Sequence, residues 1–95
     1  ENIEFYTKKN LEDNVTVLSQ KNILILKENF FSQSSEVVFR SLTEVIKIVG
    51  KKYYAVRGKK IDKIIDLVNT KSSFKVTLGG CIIKKVSETV ILCKE

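Results

Sequence analysis

The fold is decided by residues 74–94, which read FKVTLGGCIIKKVSETVILCK. Apolar and polar residues alternate from Phe74 to Leu78, as they do in a strand with one buried face. The pair Gly79-Gly80 permits a tight bend, because glycine adopts backbone angles that strain other residues. Segments rich in β-branched and apolar residues then lie on both sides of Ser87-Glu88. We therefore predict three consecutive strands, over 74–78, 81–86 and 89–94.

Two amphipathic helices are predicted before these strands. The first is capped by Ser34 or Ser35, and Gly50 stands just past its end. The second runs from about Lys59 to Asn69. Apolar residues recur at helical spacing in both, at Val38, Leu42, Val45 and Val49, and at Ile61, Ile64, Ile65 and Val68.

The N-terminal residues 1–37 carry weaker signals and are predicted to form a connector or hairpin. Val15 and Val17, followed by 23–26, are short β-like segments, whereas 10–14 is polar and turn-like. The sequence leaves open whether this region is a subdomain of its own or closes the sheet of the last three strands.

The order of these elements indicates an α+β fold. It lacks the strict β-α-β alternation that a parallel sheet requires. We predict two main helices packed on a small antiparallel sheet, preceded by the N-terminal hairpin or connector. A chain of 95 residues makes one domain, in which 38–95 would be a helix-helix-three-strand module.

The two cysteines, Cys81 and Cys93, lie in the strand-like sequence. Two thiols without any histidine cannot form an ordinary zinc site. A disulfide across a hairpin is conceivable, but a register shift of one residue would put the two on opposite faces. We favour buried thiols and the cytoplasm, since no secretion signal opens the chain and its apolar runs are too short to cross a membrane.

Positive charge is concentrated in the second half of the chain. The net charge is +6. Residues 1–45 hold five basic and seven acidic side chains, whereas 46–95 hold twelve basic and four acidic ones. Such asymmetry favours a negatively charged partner, usually nucleic acid. The alternative is a solvated basic face that reflects the lysine- and isoleucine-rich composition of an AT-rich genome.

Residues for autonomous catalysis are scarce. The chain has no histidine, which is the commonest general base, and neither a P-loop nor a dinucleotide-binding motif. Gly79-Gly80 precedes a strand rather than a helix, so we interpret it as a structural bend. Asp62 and Asp66 lie one helical turn apart and are expected to pair with Lys59 and Lys63.

A basic and aromatic cluster lies between the two helices. Lysine and arginine neutralise phosphates, and tyrosine can stack on an exposed base or hydrogen-bond to the backbone. The cluster is therefore a candidate RNA-binding site, although the tyrosines could instead pack under the loop and the lysines be merely solvated. Its members are Lys51, Lys52, Tyr53, Tyr54, Arg57, Lys59, Lys60 and Lys63.

Other basic residues are harder to place. Lys84-Lys85 could extend the cluster, but the sequence does not show whether they share a face with it. Arg40 could contact RNA or form an ion pair on its helix.

The stretch from Val38 to Glu95 resembles the domain that follows the catalytic domain in tRNA(Ile)-lysidine synthetases of the proteobacterial kind. The resemblance rests on an ordered set of motifs: FRSLTEVIKIVGKKYY, RGKKIDKIIDLV, TLGGCIIKK and VILCKE. The run from Thr77 to Cys81, together with the final Lys-Glu, is the most distinctive part. A chain that begins at Glu1 would also fit a piece of a longer enzyme.

The resemblance implies an ATP-dependent ligase that attaches lysine to the wobble cytidine of an isoleucine tRNA. The catalytic site of that family lies in an N-terminal domain with a Ser-Gly-Gly-x-Asp-Ser loop, which this chain lacks. No catalytic residue and no cofactor site can therefore be assigned here, and ATP, with Mg²⁺, would belong to the catalytic domain. The expected partners are tRNA(Ile) and that catalytic domain. The alternative is a module that braces the catalytic domain, or dimerises, without touching RNA.

Overall fold

A computed structural model describes residues 2–18, 23–51 and 56–95 of the chain. Its elements, in chain order, are α1 (Ile3–Asn14), β1 (Val15–Leu18), β2 (Ile23–Leu26), a 3-10 helix (Glu28–Ser32), α2 (Ser35–Gly50), α3 (Gly58–Thr70), β3 (Ser73–Leu78), β4 (Cys81–Val86) and β5 (Thr89–Lys94). The five strands form one antiparallel sheet in the order β1-β2-β5-β4-β3. The predicted α+β class, with helices packed on an antiparallel sheet, is confirmed.

The N-terminal region closes the sheet. The hairpin β1-β2 joins it because β2 pairs with β5, with Leu24 opposite Leu92. The sheet therefore has five strands rather than the three predicted from the C-terminal stretch. The sequence left open whether 1–37 forms a subdomain of its own or closes the sheet, and this strand pairing shows that it closes the sheet.

The sequence of residues 3–6 is compatible with a helix or a connector, and the structure places them in α1, whereas the interpretation of 10–14 as a turn is wrong. This segment is the last turn of α1, because tertiary hydrogen bonds outweigh the turn preference of asparagine. The buried Asn10 side chain donates to the Phe30 carbonyl at 3.2 Å and to the Ser41 hydroxyl at 3.1 Å. These two bonds join α1 to the 3-10 helix and to α2.

The two faces of the sheet differ. On the inner face, alternate strand residues pack against α2 and α3 in one cluster that includes Leu24, Leu26, Cys81, Ile83, Val90 and Leu92. On the outer face, Ile23, Ile25, Ile82, Ile91 and Cys93 are half-buried, and they lie outside this cluster. The hydrophobic core therefore lies between the inner face and the helices.

The long helix α2 begins and ends close to its predicted bounds. The Ser34 hydroxyl accepts the Val37 amide, so serine caps the N-terminus as predicted. At the other end Gly50 is the last helical residue, and Lys51 adopts the left-handed conformation with φ 56°. The expectation that Gly50 would stand past the end is wrong by one residue, because this glycine serves a close contact rather than a left-handed turn.

Candidate nucleic-acid interface

The close contact at Gly50 involves the turn between β3 and β4. A Cβ atom on Gly50 would overlap the carbonyl oxygen of Gly79. Gly79 itself has φ +62°, and a Cβ there would lie 2.8 Å from both Ile46 and Val56. The Cys81 thiol donates to the Ile46 carbonyl at 3.3 Å. We call this contact between Gly50, Gly79 and Cys81 the glycine joint.

The glycine joint brings together the two ends of the α2–α3 connection. Lys51 follows Gly50, and Arg57 follows Val56, and both of those neighbours approach Gly79. Both charged side chains are exposed. Lys51 and Arg57, the described cations at the two ends of the connection, are therefore held at one corner of the molecule by a tightly packed contact.

Helix α3 begins at this corner with an unusual charge pattern. Arg57 is its N-cap residue but makes no side-chain cap, and the first turn holds Lys59 and Lys60 and no acidic residue. Helix N-termini carry a partial positive charge and are normally complemented by acidic side chains. Here the cations add to that field, so the corner attracts anions such as phosphate.

Two lysines of α3, and neither of its aspartates, line the side of the helix that faces β3. Lys60 and Lys63 lie on the flank that faces β3, where they line a surface groove of about 240 Å³. Asp62 and Asp66 do not line this groove, and helical spacing puts them on the solvent face, three residues after Lys59 and Lys63. The expected ion pairs with Lys59 and Lys63 do not form among the described residues, whose ion pairs are Lys9–Asp13, Arg40–Glu36 and Lys47–Glu44.

The predicted site residues divide into two groups. Five are described and exposed, and we call them the basic corner: Lys51, Arg57, Lys59, Lys60 and Lys63. Lys52, Tyr53 and Tyr54 lie outside the described residues, so the aromatic part of the prediction stays a prediction. Arg40 forms an ion pair on its helix, which was the alternative to RNA contact: its Nε donates to Glu36 Oε2 at 2.8 Å on the surface of α2.

Lys84 and Lys85 do not act together, because strand alternation points them to opposite faces. Lys84 is exposed on the outer face. Lys85 lies on the inner face, where its ammonium donates to the carbonyls of Val68 at 2.7 Å and Lys71 at 2.9 Å. This cation therefore satisfies backbone acceptors at the C-terminus of α3, where the helix dipole favours positive charge.

Lys94 was missed by the sequence reasoning. It pairs with Cys81 across the strands, and the following amide of Glu95 donates to the Gly80 carbonyl at 2.9 Å. Its exposed side chain is thus attached beside the glycine joint. The sequence contains this information: pairing the strands outward from the turns at Gly79-Gly80 and Ser87-Glu88 puts Lys94 opposite Cys81.

The two cysteines are thiols on opposite faces, since Cys93 stands opposite Ile82 rather than Cys81. Burial raises the pKa of the Cys81 thiol to about 11, against a smaller lowering by a hydrogen bond from the Gly50 backbone. A thiol with so high a pKa is a poor nucleophile at neutral pH. Cys81 is therefore a packing residue of the glycine joint.

In the described part of the chain, no group of three or more histidine, cysteine or acidic side chains is placed to hold a metal ion. None of the helices described is long and apolar enough to cross a membrane.

Comparisons with known proteins identify no relative. No protein-family model, curated protein or solved structure matches this chain.

Proposed function

We propose that this chain is the tRNA-binding and tRNA-positioning domain of a tRNA(Ile)-lysidine synthetase and carries no active site of its own. The observation that carries the proposal is the basic corner at the start of α3. The parent enzyme would be an ATP-dependent ligase of the cytoplasm, and ATP and Mg²⁺ would bind in its catalytic domain rather than here.

The electrostatics of the basic corner support contact with a phosphate backbone. Five cationic side chains are exposed there, and none forms an ion pair with another described residue. They are available to displace the counterions of a nucleic acid, which is the main source of sequence-independent affinity. The N-terminus of α3 adds backbone N–H groups, whose partial positive charge also favours phosphate.

The domain would act by positioning rather than by reading bases. Phosphate contacts fix the orientation of a nucleic acid but carry little sequence information. A tRNA held at the basic corner would present its anticodon to the catalytic domain, and correct orientation alone lowers the barrier of a bimolecular reaction. Selection of the isoleucine tRNA would then come from overall shape and from the catalytic domain.

The test is binding of the chain to an isoleucine tRNA transcript across a salt series, beside an unrelated tRNA and duplex DNA. We expect affinity that favours tRNA and falls steeply with salt. In Arg57→Gln/Lys59→Gln the slope of log affinity against log salt should shrink by about 2, since each lost phosphate contact removes about one unit.

The matched control is Lys8→Gln/Lys27→Gln, which removes the same charge from exposed positions on α1 and beside the 3-10 helix. This control should leave the slope almost unchanged. Equal effects of the two double variants would mean that net charge alone drives binding, and the assignment of the basic corner would be wrong. An absence of binding at moderate salt would contradict RNA contact by this chain.

A second candidate function is a brace or dimerisation module. It is favoured by the half-buried isoleucines of the outer face and by apolar side chains that remain exposed at its margins, namely Leu18 at 43% and Val86 at 49%. Contiguous exposed apolar surface often marks a protein interface. Analytical ultracentrifugation distinguishes the candidates, because a dimer that Ile91→Lys abolishes, without salt-sensitive RNA binding, would support the brace.

A further inference from the structure

We propose that the groove between α3 and the open edge of β3 binds an extended peptide of alternating acidic and apolar residues, which adds a sixth strand to the sheet. This inference goes beyond the proposed function and does not rest on it. It starts from three properties of one surface: an unpaired strand edge, an apolar groove beside it, and cations around both.

The edge of the sheet at β3 is open. In the described structure β3 is the last strand and pairs on one side only, with β4. A two-residue turn at Gly79-Gly80 makes Leu78 and Cys81 a hydrogen-bonded pair, and such pairs alternate along an antiparallel ladder. The backbone groups of Lys75 and Thr77 therefore point outward, where an added strand would bond to them.

The groove beside this edge suits side chains of such a strand. It is lined by Ile64 and Leu67 of α3 and by Val76 and Leu78 of β3, with a volume of about 240 Å³. Successive side chains of a strand point to opposite faces of its sheet. Every second residue of an added strand would thus enter the groove, and those residues should be apolar.

The lysines near the groove determine which residues suit the remaining positions of the added strand, those that point away from the groove. Lys60, Lys63 and Thr77 complete the described lining of the groove, and Lys75 projects from the outer face of β3. None of the described residues that line the groove is acidic. Carboxylates of the added strand would point to the outer face and meet Lys75, and opposite charges between neighbouring strands stabilise their pairing. Lys60 and Lys63 would add positive potential from the groove side.

The same lysines argue against two other occupants. A second copy that paired β3 with β3 about a two-fold axis would bring Lys75, Lys60 and Lys63 of both copies together, and like charges there are destabilising. RNA would satisfy the cations but gain nothing from four aliphatic side chains, because none of the described residues that line the groove is aromatic and could stack on a base.

The experiment titrates the ¹⁵N-labelled chain with acetyl-Val-Glu-Val-Glu-Val-Glu-Val-Glu-amide, beside the same peptide with lysine in place of glutamate. Amide shifts and hydrogen exchange report the site. The acidic peptide should bind with a Kd on the order of 0.1 mM. It should protect the amides of Lys75 and Thr77 while those of Phe74 and Val76, already bonded to β4, change little. The lysine peptide should leave the spectrum unchanged.

Two variants probe the charge and the edge separately. Lys60→Glu/Lys63→Glu should weaken binding by about tenfold or more, whereas Lys8→Glu/Lys27→Glu, with the same change in net charge, should have little effect. Thr77→Pro removes one outward amide without removing a charge, and an edge strand tolerates proline. It should abolish peptide binding and leave tRNA binding intact.

Three results would overturn the proposal. The first is an unchanged spectrum at about 1 mM acidic peptide, where such a complex would be largely formed. The second is a set of shifts confined to the outer face, or binding that Lys60→Glu/Lys63→Glu leaves unaltered. The third is protection of the Lys75 and Thr77 amides by a short RNA oligonucleotide but not by the peptide, which would assign the groove to nucleic acid.

Discussion

Two adjoining regions of the molecule, the glycine joint and the basic corner, are constrained in opposite ways. At the joint, backbone approaches backbone so closely that neither Gly50 nor Gly79 has room for a methyl group. At the corner, cationic side chains extend into solvent and contact little. Packing therefore dictates the residues of the joint, whereas packing within the described structure does not dictate those of the corner.

This difference bears on the family resemblance. Its most distinctive motif runs from Thr77 to Cys81 and lies in the glycine joint. Packing at the joint accounts for Gly79 and Cys81 of this motif without any contact to RNA. The motif therefore carries no information about RNA, and the proposed role in tRNA binding depends on the basic corner and has to be tested there.

The largest expected effect comes from filling the joint. Gly50→Ala should lower the free energy of unfolding by about 3 kcal/mol, because the added methyl group would overlap the Gly79 carbonyl oxygen, which cannot rotate away. Urea denaturation measures the change. Gly58→Ala is the matched control, since its Cβ would lie 3.3 Å from a ring atom of Phe39 that can shift, and the change should stay within about 1 kcal/mol. Equal stability of the two variants would contradict the tight joint.

A smaller loss of stability is expected for substitution of Lys85, and almost none for its neighbour Lys84. Lys85→Met should cost about 1.5 kcal/mol, because two charge-assisted hydrogen bonds to carbonyls at the end of α3 are lost while the aliphatic stem is retained. Lys84→Met, on the exposed outer face, should change stability by less than about 0.5 kcal/mol. Thermal unfolding of both variants tests the assignment, and a greater loss for Lys84→Met would reverse it.

The local parts of the fold were predictable from the sequence. The last three strands, the glycine bend and the two amphipathic helices follow from periodicity and from turn residues, which act over short range. Helix α1 was not, because its sequence is mostly polar. It is held by contacts such as those of Asn10, whose partners lie 20 and 31 residues away.

The candidate site was predictable in composition but not in arrangement. The sequence identified the cations of the α2–α3 connection, and it could not show that Lys85 turns inward or that Lys94 lies beside the joint. Both facts depend on strand register. The role of Gly50 was also misjudged, since a glycine at a helix end normally serves a left-handed turn and here serves a contact between elements that are 29 residues apart.

The smallest expected effect concerns Lys51, where the two regions meet. Its left-handed conformation, with φ 56°, strains any residue except glycine. Lys51→Gly should therefore raise the free energy of unfolding by about 0.5 kcal/mol, as measured by urea denaturation. Ser87→Gly is the matched control, since Ser87 has φ 60° in the β4–β5 turn and carries no charge.

A lysine at a position that favours glycine suggests that its charge has a use, because functional residues often retain local strain. If Lys51 contacts phosphate, Lys51→Gly should reduce the salt slope of tRNA binding by about 1 even as it stabilises the fold. Ser87→Gly should stabilise the fold and leave that slope unchanged. A Lys51→Gly protein that is more stable and binds tRNA with an unaltered slope would show that the strain at Lys51 serves no contact with RNA, and would remove this residue from the basic corner.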